Sequence, residues 1–513
     1  MSSGNIDDIF NQWKVAHDHL TQATQTFFDT CVALLQFIDE SPAGYARDIS
    51  IEDAVIGVNN RMKNLPAVRK RVGDSQIVLR KVINTSTTLI PVNVLPLEVM
   101  SRVFTLVASK SACIEDRSYR LSRKPDCRPY QSHPLVVIPS VCARWRRLVI
   151  GTPSLWSHVD VDSRLIGEND VNVLPRTRLW LERARGARLS LHIGAICQKS
   201  GSGWDLLSLL ESHMVNLASL KFSRGSGAYF WPILNLYADI YPLGSLTSLS
   251  MSEAFGTDLV TDSFVWPVSA LRGLTSLELH GLCTSKRPSM TEFVTMLANS
   301  PALHTLHLKS MELRIDSHYS YTEIKLPCLR LLQLEDMGDH TLSNLFSSLV
   351  PGPLELDVRL RLDRHVDKRL RTAITSFFNR TNITCLSLSV GTSSDSKWLA
   401  EQLSCVPRLR VLALENSDRF GSWASLDILT LPIEGDKFEA RCPNLRLLWI
   451  NGGFVNLGAY TQLKRIASCH QLSALVFGDR ATLDEVDGNE AIEWLRQRVG
   501  SVILRAKTGI WNF

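Results

Sequence analysis

Few groups of residues in this chain have the types and spacing to carry out covalent chemistry. Asp160-x-Asp162 sets two carboxylates within reach of a divalent cation, which takes oxygen ligands. The same stretch alternates Val159 and Val161 with His158, Asp160 and Asp162, so an ordinary half-buried strand accounts for it as well. His304 and His307 lie three apart, a spacing that puts them on opposite faces of a strand, so they make no ligand pair. The triplets Gly201-Ser202-Gly203 and Gly225-Ser226-Gly227 are too short to cradle a phosphate and read as turns. No Gly-x-Ser-x-Gly elbow, His-Glu-x-x-His pair or Gly-x-x-x-x-Gly-Lys loop occurs. The 11 cysteines are scattered without a Cys-x-x-Cys pair, the pattern of reduced thiols and not of a zinc or redox motif. The expectation is a non-catalytic protein with no metal and no cofactor, whose chemistry is recognition.

Recognition needs a surface, and a repeated unit supplies one. Leu-x-x-Leu-x-Leu or a close variant begins at Leu217, Leu246, Leu274, Leu303, Leu329, Ile383, Leu409, Leu445 and Leu472. The first four intervals are 29, 28, 29 and 26 residues, and the irregular Leu354-Glu-Leu356-Asp-Val358 fills the gap before Ile383. One unit cannot bury its own apolar face, but a stack with positions one, four and six turned inward can. The residues on either side of the fourth position then point outward in two rows. One row runs Lys221, Ser250, Glu278, His307, Gln333, Ser387, Ala413, Trp449 and Val476. The other runs Ser219, Ser248, Ser276, Thr305, Leu331, Cys385, Val411, Leu447 and Ala474. Both become apolar toward the C-terminus. An outward tryptophan is costly unless something covers it, and buried aromatics dominate interface energetics. Glu278, His307, Gln333, Val411, Leu447 and Trp449 are therefore the expected substrate-binding residues, with Leu447 and Trp449 at the centre. The alternative is that the C-terminal segment folds over the tryptophan.

With this period and pattern, residues 189–480 resemble the leucine-rich repeats. The resemblance implies a solenoid with a parallel, concave sheet; an ordinary α/β layered domain is the rival fold. The family's asparagine after each strand is missing. Leu282, Met311 and Met337 stand in its place, so the turns must be built differently.

A second stretch, Leu95 to Trp156, reads as a small helical unit with a large apolar face and a cationic rim. Pro96 suits the start of a helix, where its missing N–H is no loss. Val99, Val103, Leu106 and Val107 recur on one helix face, and Val141, Trp145, Leu148 and Val149 repeat that spacing. The opening Leu95-Pro96-Leu97-Glu98-Val99, the later Val141-Cys142-Ala143-Arg144-Trp145 helix with Leu148, and the ending Pro153-Ser154-Leu155-Trp156 resemble the F-box family, the ending being of a fungal type. The resemblance implies a three-helix F-box in which Leu95, Pro96, Glu98, Val99, Val103, Val141, Cys142, Trp145 and Leu148 build the motif. Leu95, Pro96 and Val99 belong to its adaptor surface, and Trp145 belongs to its core. It further implies the substrate-recognition subunit of an SCF-type ubiquitin ligase, bound to a Skp1-like adaptor, through it to cullin and RING subunits, and to a substrate protein the sequence does not name. Arg144, Arg146 and Arg147 suit an acidic adaptor. The segment Ala108–His133 is longer than the family's usual link, which favours the alternative of a leucine-rich-repeat interaction scaffold without a ligase role.

Composition bounds the rest. At 513 residues, with 45% hydrophobic and 21% charged residues, the chain suits a soluble protein of several domains. The expected division is an N-terminal helical segment over 1–90, the F-box over 91–160, the solenoid over 161–485 and a C-terminal cap over 486–513. The formal charge is +5, but residues 60–190 hold 23 Lys and Arg against 10 Asp and Glu. Such a region favours an acidic partner, with Arg117, Arg120, Arg123, Lys124 and Arg128 as its densest run. No aromatic ladder accompanies it, which counts against nucleic acid. No leader of basic and then apolar residues opens the chain, and no run nears the ~18 apolar residues of a membrane span. A cytoplasmic or nuclear protein is expected, and the three Asn-x-Ser/Thr matches at Asn84, Asn379 and Asn382 are then chance.

Overall fold

Apolar residues every three or four positions from Ile6 onward form α1 (Ile6–Glu40), followed by α2 (Ile49–Met62) and α3 (Leu65–Thr85). The computed structural model describes residues 6–40, 49–109, 133–162, 173–194, 202–223, 226–240, 246–252, 265–282, 287–314, 322–362, 366–390, 396–416, 423, 426–433, 437–483 and 485–506. α3 opens with Pro66 in its first turn and ends where Ser86 turns to extended backbone. The buried Asn93 then ties the following turn to the end of α3, its amide donating to the carbonyls of Asn84 (2.7 Å) and Ser86 (3.3 Å).

The chain divides into two compact units, Met1–Leu95 and Pro96–Phe513. The expected boundaries at 90, 160 and 485 do not coincide with this division. The first three helices described in the second unit are α4 (Leu97–Ser109), α5 (Pro134–Val141) and α6 (Ala143–Ile150). The break between the last two has a local cause. Cys142 is extended (φ −156°), and its Sγ accepts the Trp145 N–H at 3.5 Å, capping α6. Met100, Phe104 and Ala108 are the inward face of α4 and join a core with Leu135, Ile138, Val149, Leu155 and Trp156. The Val99, Val103, Leu106 and Val107 face is the outer one.

That core continues without interruption into a ladder of thirteen strands, so the helical unit and the repeats share one interior. The strands are β1 (158–161), β2 (189–193), β3 (217–222), β4 (248–252), β5 (276–280), β6 (305–309), β7 (331–335), β8 (356–362), β9 (383–390), β10 (411–416), β11 (447–451), β12 (474–478) and β13 (502–506). Each pairs in parallel with the next, as leucine-rich-repeat-like stacking requires. The predicted register holds: Leu220, Leu249, Leu277, Leu306 and Leu332, then Val358, then Leu386, Leu412, Leu448 and Leu475 lie side by side and are buried. Helices such as α7 (Val173–Ala184) run between strands and cover the inner face.

Two details give the repeat its composition. In Leu-Thr-Ser-Leu, the threonine hydroxyl reaches back to the preceding turn of chain. Thr247 donates to Ala218 O at 2.8 Å, and Thr275 donates to Thr247 O at 2.9 Å. The turns after β5, β6 and β7 also dispense with asparagine. Gly281, Ser310 and Asp336 take left-handed backbone (φ 61°, 49° and 51°), and the next residue, Leu282, Met311 or Met337, drops into the core.

One expectation is corrected here. The irregular stretch near Leu356 is a full strand, β8, in register with both neighbours. At the C-terminal end a helix over Glu485–Arg498 buries Ala491, Ile492 and Leu495, and β13 then extends the ladder beside β12.

Candidate functional site

The side of the sheet opposite the inward leucines carries the predicted rows, and the strand register brings them together as expected. Glu278, His307 and Gln333 are consecutive neighbours in one row, and Val411 and Leu447 are neighbours in the other. The rows also extend where no repeat was counted. β8 inserts Asp357 and Arg359, and the row through Lys221 continues backward through His192 to Asp160.

A third row, two residues along each strand, was missed and is the most charged: His280, Lys309, Glu335, Arg361, Ser389, Glu415 and Asn451. It interlocks with the predicted one. His280 Nε2 lies 2.9 Å from His307 Nδ1, and His307 Nε2 lies 3.5 Å from Glu335. Glu335 also accepts from Lys309 and Gln333, while Glu278 accepts from Ser250 at 2.9 Å. Burial raises the Glu335 carboxyl, but hydrogen bonds from His307, Lys309 and Gln333 overcome it and hold the group well below the usual carboxylate range.

His280 is lowered as well, here against its charged form: burial first, then His307 and Lys309, push it down to about 3 against a weaker pull from Glu335. Between about 6.5 and about 3 the unfolded chain therefore binds a proton that folded His280 refuses, and stability falls as pH drops through that window. Urea unfolding from pH 7.5 down to 4.5 should show a steeper loss for the natural protein than for His280→Gln. Parallel curves would show that His280 titrates normally.

Toward the C-terminal strands the rows border a cleft of about 240 Å³. Gln333, Glu335, Arg359, Arg361, Glu415, Asn451 and Arg480 line it, with Trp449 among them. The charges are already paired: Arg359 with Asp357 at 2.7 Å, Arg361 with Asp336 at 3.2 Å and Arg480 with Glu415 at 3.2 Å. The volume is below the range of small-molecule sites and suits an inserted side chain. Trp449 faces the predicted way but is not the exposed anchor expected of it. It is 2% exposed, packed with Ala413 and Val476, with the half-buried Leu447 and Ala474 against them.

The helical residues divide between core and surface. Trp145 is half-buried and meets Phe104 edge-on at 5.0 Å between ring centres, and Leu148 packs on the same core. Cys142 serves as the cap described above. Pro96, Glu98, Val99, Val103 and Val141 are exposed, as is Leu95 at the end of the first unit. The outer side of α4 bears Val99 (45% exposed), Val103 (45%), Leu106 (49%) and Val107 (44%), and α5 exposes Val136, Val137 and Val141. The basic run Arg117, Arg120, Arg123, Lys124 and Arg128 lies outside the described residues.

Among the described residues one group has metal-ligand chemistry, and it is not the pair the spacing offers. Asp162 is buried over Gly194, where any Cβ would lie 1.9 Å from its Oδ2. Asp160 instead meets two imidazoles, with His158 Nε2 and His192 Nδ1 each 3.1 Å from its Oδ1. Burial raises its carboxyl, but these two hydrogen bonds prevail and hold it at about 2. Residue spacing cannot reveal this group, because His192 lies on the next strand.

No family model matches the sequence, and no curated protein matches it. Among solved structures, the chain is similar to the leucine-rich repeat-containing protein LegL7 from Legionella pneumophila, at 14% identity over 66% of this chain and 89% of that one, with a TM-score of 0.31. It is also similar to a Bacteroides fragilis protein at 12% identity, over 65% of this chain and 69% of that one, with a TM-score of 0.27. No helix among the described residues is long and apolar enough to cross a membrane.

Proposed function

We propose that this chain is the substrate-recognition subunit of an SCF-type ubiquitin ligase. In this reading the α4–α6 helices are an F-box that docks a Skp1-like adaptor and, through it, the cullin and RING subunits. The open face of the ladder holds a target protein. The observation that carries the reading is α4, which is apolar on both sides. Met100, Phe104 and Ala108 fill the core, while Val99 and Val103 on the outer side are each 45% exposed. A helix of that kind is normally buried all round, so its outer face calls for a partner. Of the motif residues that resemble an F-box, Val99 and Val103 lie on that face. Arg144, Arg146 and Arg147 on α6 add charge complementary to an acidic adaptor. Ubiquitin transfer then takes place on other subunits, and this chain supplies proximity and orientation without reacting groups of its own.

Co-expression with a Skp1-like adaptor tests the reading. The natural chain should retain the adaptor. Val99→Asp/Val103→Asp, which leaves the core face untouched, should weaken retention by about 100-fold or more, because each valine side chain is worth about 1.5–3 kcal/mol when buried. Equal recovery of the two rejects it. The rival reading is an interaction scaffold without a ligase role, favoured by the long segment between Ser109 and Pro134. It predicts target capture with no adaptor at all.

A further inference from the structure

The first two strands of the ladder gather three side chains at the N-terminal end of its rows, outside the cleft lining. His158 and Asp160 lie two apart on β1 and so share a face, and the register sets His192 of β2 directly beside Asp160. We propose that His158 Nε2, Asp160 Oδ1 and His192 Nδ1 bind a zinc ion.

The geometry is close to what the ion needs. Zinc holds nitrogen and oxygen ligands at about 2.0–2.2 Å in a tetrahedron, which spaces the ligand atoms about 3.3 Å apart. Here both imidazole nitrogens are 3.1 Å from the same carboxylate oxygen, and the three ligand atoms all lie within 4.8 Å of one another. Closing the set requires only a small movement of His158. That side chain is 28% exposed, against 7% for Asp160 and 1% for His192, so it is also the route by which an ion enters. Among the described residues β1 is the edge strand of the sheet, with β2 as its one neighbour.

The surroundings suit a metal ligand as well. His192 Nε2 lies 2.8 Å from Ser223 Oγ, and both residues are buried. With Nδ1 on the metal, Nε2 carries the proton and donates it to Ser223, which fixes the ring's tautomer and orientation in the way ligating histidines are commonly held. Two imidazoles and one carboxylate favour zinc or a neighbouring first-row ion over magnesium or calcium, which take oxygen ligands. Three protein ligands leave a fourth position for water.

The full chain, stripped with a chelator and titrated with Zn²⁺ alone against a coloured competitor, should bind one equivalent at this site. His158→Ala should weaken that binding at least 10-fold, and Ser223→Ala about 10-fold through the loosened His192 ring. Zinc should raise the melting temperature of the natural chain but not of His158→Ala, a variant whose part-exposed position spares the core. Cobalt in place of zinc should give the visible absorption of a tetrahedral nitrogen and oxygen site. A natural chain that binds no zinc, or His158→Ala and Asp160→Asn variants that bind it as tightly as the natural chain, overturns the proposal and leaves the three residues as a hydrogen-bonded strut.

Discussion

Trp156→Ala should destabilise the Pro96–Phe513 unit by about 3–5 kcal/mol. Its indole is 0% exposed and sits where the helices give way to the ladder. Nε1 donates to the Val149 carbonyl at the end of α6 (2.7 Å), the ring meets Trp180 of α7 edge-on at 4.9 Å, and the Arg183 guanidinium lies 4.4 Å over its face. Alanine leaves a cavity on all these sides at once and strips the Val149 carbonyl of that donor, a penalty of about 1–3 kcal/mol within the total. Trp156→Phe keeps most of the volume and should cost less. Urea unfolding of both variants gives the numbers, and a loss below ~1 kcal/mol for alanine would mean that the helices are fastened to the ladder elsewhere. Under the proposed function the effect matters because a receptor that holds a target at a fixed distance from an adaptor needs its two docking faces rigidly joined. The shared core supplies that rigidity, and Trp156 is its middle. The natural unit should therefore unfold in one transition, and Trp156→Ala should separate it into two.

The sequence displayed the ladder because leucine spacing is a direct image of register: whatever fixes Leu277 beside Leu306 fixes Glu278 beside His307. It displayed α1, α2 and α3 for the same reason, through a period of three to four. It failed where a pattern has two solutions. α4 carries one apolar stripe through Val99 and Val103 and another through Met100 and Phe104, so periodicity alone cannot say which faces inward; the bulk of Phe104 was the available hint. β8 escaped the repeat count because Val358 stands where the unit has its fourth-position leucine, although the alternation Leu356, Val358, Leu360 marks a strand. Trp449 was given the right direction and the wrong exposure. Its neighbours across the strands, Ala413 and Val476, are small enough to leave the indole room against the sheet, and that depends on pairs 27 and 36 residues away. The His158, Asp160 and His192 cluster is of the same kind, since Asp160 and His192 are 32 positions apart and meet only once β1 and β2 are paired.

Gly452→Ala should cost at least about 3 kcal/mol, more than alanine at any ordinary turn glycine. Gly452 follows β11 with φ +76°, a conformation that costs an L-residue about 1–2 kcal/mol by itself. The larger part is steric. A Cβ there would lie 2.1 Å from the Asn416 carbonyl oxygen and 3.2 Å from its carbon, at the end of β10. That backbone is held in register with Val390 on the far side, and the Gly452 carbonyl accepts the Trp423 Nε1 at 2.8 Å, so neither strand end is free to give way. Gly273 is the internal control. It has nearly the same φ, +75°, with nothing within 4 Å of its added Cβ, so Gly273→Ala should show the conformational cost alone. Equal losses for the two in denaturant unfolding would remove the steric argument. A larger loss at Gly452 carries a functional consequence, because β10 and β11 bring Glu415, Trp449 and Asn451 to the cleft. Under the proposed function, prising those strand ends apart should spoil target capture while leaving adaptor binding, on helices at the opposite end of the ladder, unchanged.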